Sequence, residues 1–139
     1  MATFKEIGIN DFLIEKLEMI GVRSPTAIQA TAIPQILNDC GPRKDVFACS
    51  ETGSGKSLAY ILPILNSLMI DPRPFFALIL TPTRELSYQV NEVIKILTRS
   101  KNTRFIKSML IIGGNKFDDD DQSLWESKPN IGELLKYSD

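Results

Sequence analysis

The chain has 139 residues, of which 16 are basic and 17 acidic, giving a formal net charge of −1. That length and a hydrophobic content of 43% suit one globular domain with a real core. The near-neutral balance excludes whole-protein electrostatic attraction to nucleic acid, and the absence of histidine excludes a Cys/His zinc site or a His-based catalytic triad.

Residues 1–10 carry charges and no long apolar run, so they do not read as a secretory signal. No stretch of the chain is apolar for long enough to span a membrane. Asn10 can cap a helix that places Phe12, Leu13, Leu17 and Ile20 on one face, and Gly21 ends it. A second helix is expected to start at Pro25 and run through Ile28, Ala32 and Ile36. Residues 39–44 read as a turn. The apolar run 45–49 has the length and β-branched and aromatic content of a buried strand, which makes Cys49 a buried thiol. Cys40 and Cys49 together suit a reducing compartment better than a disulfide scaffold.

Residues 56–70 predict a helix packed on a sheet and kinked by Pro63. Residues 75–80 predict a second buried strand, 84–97 a long helix, and 107–112 a third strand stopped by Gly113 and Gly114. Strands alternating with helices imply an α/β fold with a parallel sheet.

The chemistry concentrates in Ser50-Glu51-Thr52-Gly53-Ser54-Gly55-Lys56-Ser57, between a predicted strand and a predicted helix. Glycines let the backbone turn its N–H groups around a phosphate, and the helix N-terminus adds positive potential there. Lys56 can reach the outer phosphates of ATP, and the Ser57 hydroxyl can hold Mg²⁺. The strict pattern has glycine where this chain has Ser50, a small residue that still fits. The competing reading is a Gly/Ser turn that happens to precede a lysine.

Two further stretches carry a binding chemistry. Thr26-Ala27-Ile28-Gln29 follows Gly21-Val22-Arg23-Ser24-Pro25. Taken alone it is a capped helix start with an exposed glutamine, yet a glutamine amide can also pair with adenine N6 and N7. Pro82-Thr83-Arg84-Glu85-Leu86 stands where a strand gives way to a helix, a second anion site at which Thr83 and Arg84 can place a nucleic-acid phosphate. Glu85 suits the first turn of that helix.

Together these residues resemble the DEAD-box RNA helicases. Gly21, Pro25, Thr26, Ile28 and Gln29 resemble the family's Q motif, with Phe4 as the upstream aromatic that stacks on adenine. Residues 50–57 resemble motif I, Pro82 to Leu86 motif Ia, and Gly113 and Gly114 the glycine pair of the RNA-binding face. The resemblance runs from Phe4 to about Ile131. It implies a partial N-terminal RecA-like domain over residues 1–139, a P-loop parallel sheet flanked by helices with its later strands missing, with 1–30 as the Q-motif region and 132–139 as a divergent tail. It implies nucleotide contacts from Phe4, Arg23, Thr26, Gln29, Ser50, Thr52, Gly53, Ser54, Gly55, Lys56 and Ser57. RNA contacts, made through the sugar-phosphate backbone of single-stranded or duplex RNA, are implied for Pro82, Thr83, Arg84, Gly113 and Gly114.

Residues 71–80 and the short N-terminal arm resemble the nucleolar members that act in ribosome assembly. That likeness implies a nuclear or nucleolar protein with pre-ribosomal partners. The chain departs from the family after Ile131. The Thr-Pro-Gly-Arg, Asp-Glu-Ala-Asp and Ser-Ala-Thr motifs do not occur, nor does the second domain with its catalytic arginines. The run Asp118 to Asp121 follows Gly113 and Gly114 rather than an apolar strand, so it reads as an acidic turn and not as the missing metal ligands. Residues 1–139 alone are therefore expected to bind nucleotide without hydrolysing it. An edge at residues 45–49 left with unpaired backbone groups is expected to make the fold marginally stable or partner-dependent. The alternatives are a truncated nucleotide-binding module and a small P-loop phosphotransferase. The latter would leave Gln29 and Pro82 to Leu86 unexplained.

Overall fold

In a computed structural model the structure describes residues 2–38, 45–100 and 106–113. Among the described residues four helices follow one another: α1 Asp11–Met19, α2 Ala27–Leu37, α3 Lys56–Ile70 and α4 Arg84–Thr98. The chain divides into two units, Met1–Ser108 and Met109–Asp139, and all four helices belong to the first.

Helix α1 forms where a cap and a stop bracket an apolar stripe. The Asn10 side chain accepts the Leu13 N–H at 2.9 Å. At the other end Gly21 takes φ +82°, the left-handed conformation that glycine adopts without a Cβ clash. The N–H of Val22 then reaches the Leu17 carbonyl at 2.8 Å and that of Gly21 the Glu18 carbonyl at 3.0 Å, closing a Schellman stop. Leu13 and Leu17 are buried, whereas Ile20 caps the helix and faces outward.

The second helix begins two residues later than the proline signal suggests. Thr26 is the N-cap of α2, because Gln29 reaches back to the Thr26 N–H and closes the first turn there. Its buried stripe is Gln29, Ala32 and Ile33, and Ile36 is exposed. Helix α3 spans the expected residues and continues across Pro63, whose ring is buried in the core. Helix α4 also matches, with Thr83 as N-cap, Glu85 in the first turn, and Val90 and Leu97 buried.

The core is made by these helices and the arm before them. Phe4, Ile7 and Ile9 join Leu13, Leu17, Ile33, Ile61, Leu62, Leu65, Val90 and Leu97 in one cluster. Helix α2 packs along α3, and α1 meets α4. Burying each large apolar side chain contributes about 1.5–3 kcal/mol before chain entropy is counted.

The extended segments differ from expectation. Among the described residues none is assigned to a strand; residues 45–50, 76–80 and 106–108 run without a regular ladder. Residues 45–49 are exposed rather than buried: Phe47 is 97% exposed, and Cys49 is an exposed free thiol. Residues 76–80 are likewise open, with Leu78 and Leu80 exposed and only Ile79 packed on the core. Phe75 takes φ +53° in a turn, so the extended run begins one residue later than expected. A strand buries its faces only between neighbours, and these segments have none among the described residues.

In the second unit, residues 109–112 carry no regular secondary structure, with Ile111 exposed, and Gly113 lies in a turn. The turn at 39–44, Cys40, Gly114, the aspartates 118–121 and the tail 132–139 fall outside the described residues. No described helix is long and apolar enough to cross a membrane.

Candidate nucleotide and nucleic-acid sites

The phosphate loop leads directly into α3. Gly55 is the N-cap of that helix at φ +89°, and Gly53 sits at φ +81°. Both positions need a residue that tolerates the left-handed region. The Ser54 N–H bonds the Glu51 carbonyl at 3.3 Å, and the Gly55 carbonyl accepts the Ala59 N–H at 3.3 Å. The first N–H groups of α3 are thus presented where its dipole is positive. The Lys56 ammonium folds back onto its own loop and donates to the carbonyls of Ser50 (2.6 Å) and Glu51. To reach a phosphate it has to leave those two oxygens. Ser50, Ser54, Lys56 and Ser57 are half-buried, while Thr52 and Gly53 are exposed. The Ser54 hydroxyl is buried with no protein partner. An unpaired buried donor beside a glycine-lined helix start suits an anionic oxygen.

Gln29 is not the exposed side chain of a plain helix start: it is 1% exposed. Its Oε1 accepts the Thr26 N–H at 3.0 Å, and its Nε2 donates to the Gly55 carbonyl at 3.0 Å. One amide therefore joins the start of α2 to the start of α3. The approach is close enough that a Cβ on Gly55 would collide with the Gln29 amide and stand 3.3 Å from Thr26 Oγ1. Each polar atom of the amide keeps one unused capacity, a lone pair on Oε1 and a hydrogen on Nε2. Those two are what pairing with adenine N6 and N7 requires.

Phe4 lies inside the core cluster at 3% exposure. A base could stack on this ring only by displacing some of its core neighbours. Arg23 and Thr26 are exposed beside the start of α2. The structure thus brings Thr26, Gln29 and Gly55 into contact and binds Lys56 to Ser50.

The start of α4 is a hydroxyl-rich turn. Thr83 Oγ1 accepts the Leu86 N–H at 3.3 Å. The Thr81 and Ser87 hydroxyls lie 3.2 and 3.1 Å from the Thr83 carbonyl and face each other, so that one donates to the carbonyl and the other to its neighbouring hydroxyl. This network holds the turn while Pro82, Thr83 and Arg84 remain exposed. Gly113 belongs to the second unit, and Gly114 lies outside the described residues.

Sequence reasoning missed Asn66. It is a buried amide in α3, bonded to Gly8 and Asn10 of the arm. The available signal was a single amide within the apolar run 61–70.

Comparisons with known proteins agree with the motifs. The sequence model of the DEAD/DEAH box helicase family matches residues 26–132. The chain is 45% identical over 112 residues to the ATP-dependent rRNA helicase rrp3 of Schizosaccharomyces pombe, covering 81% of this chain and 23% of that protein. It is 43% identical over 130 residues to human "Probable ATP-dependent RNA helicase DDX47", covering 93% of this chain and 27% of that protein. The chain therefore spans about a quarter of the length of the curated relatives it matches. Among solved structures it resembles the Chaetomium thermophilum RNA helicase Prp28 bound to ADP, with TM-score 0.67 and 31% identity, covering 84% of this chain and 28% of that one. It also resembles Saccharomyces cerevisiae Dbp5 bound to RNA and ADP BeF3, with TM-score 0.63 and 27% identity, covering 86% of this chain and 29% of that one.

Proposed function

This chain belongs to the DEAD/DEAH box helicase family, and from that membership we propose that it is the ATP-binding and RNA-contacting portion of an RNA helicase that couples ATP binding and hydrolysis to RNA duplex remodelling. The observation that carries this reading is the Gln29 amide lodged against Gly55. A base-reading side chain and a phosphate-binding loop are there fixed to one another across 26 residues of sequence.

In this reading the N-terminus of α3 and the Gly53–Gly55 backbone hold the phosphates, with Lys56 swinging from its loop carbonyls to the outer phosphates. The Ser57 hydroxyl, on the first turn of α3, holds Mg²⁺. Gln29 and Phe4, both buried here, have to open toward adenine, Gln29 reading it with the lone pair and the hydrogen it has spare, while Arg23, Thr26, Ser50, Thr52 and Ser54 complete the wall. Bound ATP supplies the phosphoryl group whose hydrolysis drives the cycle, and Mg²⁺ offsets its charge. This chain's own residues bind and orient; none of them is assigned to the hydrolytic step. Residues 1–139 are read as part of an N-terminal RecA-like domain, with 1–30 as the Q-motif region and 132–139 as a divergent tail. RNA backbone contacts are proposed for Pro82, Thr83 and Arg84 and, separately, for Gly113 and Gly114.

The proposal extends to pre-ribosomal protein partners and a nuclear or nucleolar site of action, and similarity to a protein named as an rRNA helicase supports it. Titrating ATP and GTP in the presence of Mg²⁺ tests the nucleotide reading, with saturable binding and a preference for ATP expected. Equal affinity for the two would reject the adenine role, and no binding at millimolar ATP would reject the whole reading.

A further inference from the structure

Helix α3 carries a buried polar side chain that neither the phosphate loop nor the base-reading site uses. Asn66 is 5% exposed and stands beside Leu65 on the buried face. Its Oδ1 accepts two hydrogen bonds, from the Asn10 backbone N–H at 2.9 Å and from Asn10 Nδ2 at 2.8 Å. Its Nδ2 donates to the Gly8 carbonyl at 3.3 Å. The side chain thus grips the arm on both sides of Ile9.

Those bonds continue to Phe4. The Ile9 N–H donates to the Phe4 carbonyl at 3.0 Å and the Gly8 N–H to the Lys5 carbonyl at 3.1 Å, with Gly8 at φ +95°. This is the same stop that ends α1, and it fixes Phe4 relative to the residues that Asn66 holds. At the front of the turn, Thr3 and Glu6 cap each other reciprocally at 2.7 and 3.2 Å. Gly8 also admits Leu37 of α2, whose Cδ1 would stand 3.2 Å from a Cβ at that position. Ten positions separate Asn66 from Lys56 on α3, roughly 15 Å of helix. A rigid helix therefore connects the phosphate end of the site to the anchor of the arm. An apolar residue at position 66 would suit the surrounding core, whereas a buried amide with three hydrogen bonds to the arm fixes the geometry between the two.

We propose that Asn66 is a positioning residue for nucleotide binding: it latches the turn carrying Phe4 to the helix that begins at the phosphate loop, and so sets the base side of the site at a fixed distance from the phosphate side. The proposal rests on the adenine-nucleotide reading above. It separates two kinds of ligand. ATP spans both ends of the latch, whereas inorganic tripolyphosphate uses only the phosphate end.

The test compares ATP and tripolyphosphate, each with Mg²⁺, on the full chain and on two variants. Asn66→Leu removes all three bonds. Asn10→Ser removes the Nδ2 bond and keeps a hydroxyl to cap α1. Asn66→Leu is expected to weaken ATP about tenfold, on the order of one lost hydrogen bond, and Asn10→Ser less. Tripolyphosphate affinity should stay within about twofold in both, well under the effect of one hydrogen bond. Retained tripolyphosphate binding also certifies the folded state. Loss of both ligands in step would mean a merely structural role and overturn the proposal, as would unchanged ATP affinity. If Asn66→Leu does not fold, Asn10→Ser decides by the same criteria. A wild-type chain that binds ATP no better than tripolyphosphate would refute the adenine reading and the latch with it. A wild-type preference that survives both substitutions would refute the latch alone.

Discussion

Helix α3 and the segment just before its loop are both apolar, and they fare in opposite ways. Residues 56–70 close their backbone hydrogen bonds within the helix and bury Ala59, Ile61, Leu62, Pro63, Leu65 and Asn66. Residues 45–50 close none in a ladder and leave Val46 and Phe47 open to solvent. The difference lies in where a backbone finds its partners. A helix supplies its own; a strand depends on neighbours, and its side chains are buried only when those neighbours carry a sheet. The phosphate loop joins the two regimes: its exit is anchored in the helical core and its entry is not.

The largest expected effect tests that contrast directly. Leu62→Ala should destabilise the chain by about 2–5 kcal/mol, as large-to-small changes in a packed core do, while Phe47→Ala should move stability by less than about 0.5 kcal/mol. Chemical denaturation followed by circular dichroism measures both. Comparable losses at the two positions would mean that residues 45–50 are packed in solution.

Gln29→Ala comes next, because it cuts the one amide that ties α2 to Gly55. Two hydrogen bonds are lost and the Gly55 carbonyl keeps only the Ala59 N–H, at about 1–3 kcal/mol. The preference for ATP over GTP should shrink by a similar amount, about 1–3 kcal/mol by analogy with base readout. Stability and discrimination are measured separately, so a variant that loses one and keeps the other divides the two roles.

Thr83→Ala should cost about 1 kcal/mol by removing the N-cap of α4. Thermal unfolding that does not change would show that the Thr81 and Ser87 hydroxyls hold the turn unaided.

The smallest effect is a pH dependence in the arm. Hydrogen bonds from the Thr3 N–H and hydroxyl hold the Glu6 carboxyl below the ordinary glutamate value of 4.5. A lowered value means the capped turn is favoured above about pH 4.5, the unfolded value, and loses that contribution as pH falls through the lower folded one. A carboxyl titration of Glu6 by NMR checks the direction, and a midpoint above the ordinary value would contradict the cap.

What the sequence made legible follows the same division. Helices α3 and α4 were readable because each begins at a local signal, Gly55 or Thr83, and continues as an apolar or amphipathic run. The stop of α1 at Gly21 was readable for the same reason. The start of α2 was not, because Pro25 and Thr26 both signal a first turn and only the reach of Gln29 decides between them. The exposure of residues 45–49 and of Cys49 was not readable, since a strand's burial is set by segments far along the chain. At the site, the loop and its lysine were evident from spacing. The bond from Gln29 to Gly55 spans 26 residues and those from Asn66 to Asn10 span 56, and neither distance is encoded in a local pattern.

The claim at the centre of this account is that the helix start at Gly55–Ser57 binds a nucleotide through its phosphates. Calorimetric titration of ATP with Mg²⁺ into the wild-type chain and Lys56→Ala tests it most directly. The Lys56 ammonium bonds loop carbonyls in this structure. Its removal should therefore weaken ATP by about 10–100-fold, the worth of a hydrogen bond to a charged group, and leave the unfolding midpoint nearly unchanged. Equal ATP affinity in the two proteins would contradict the claim.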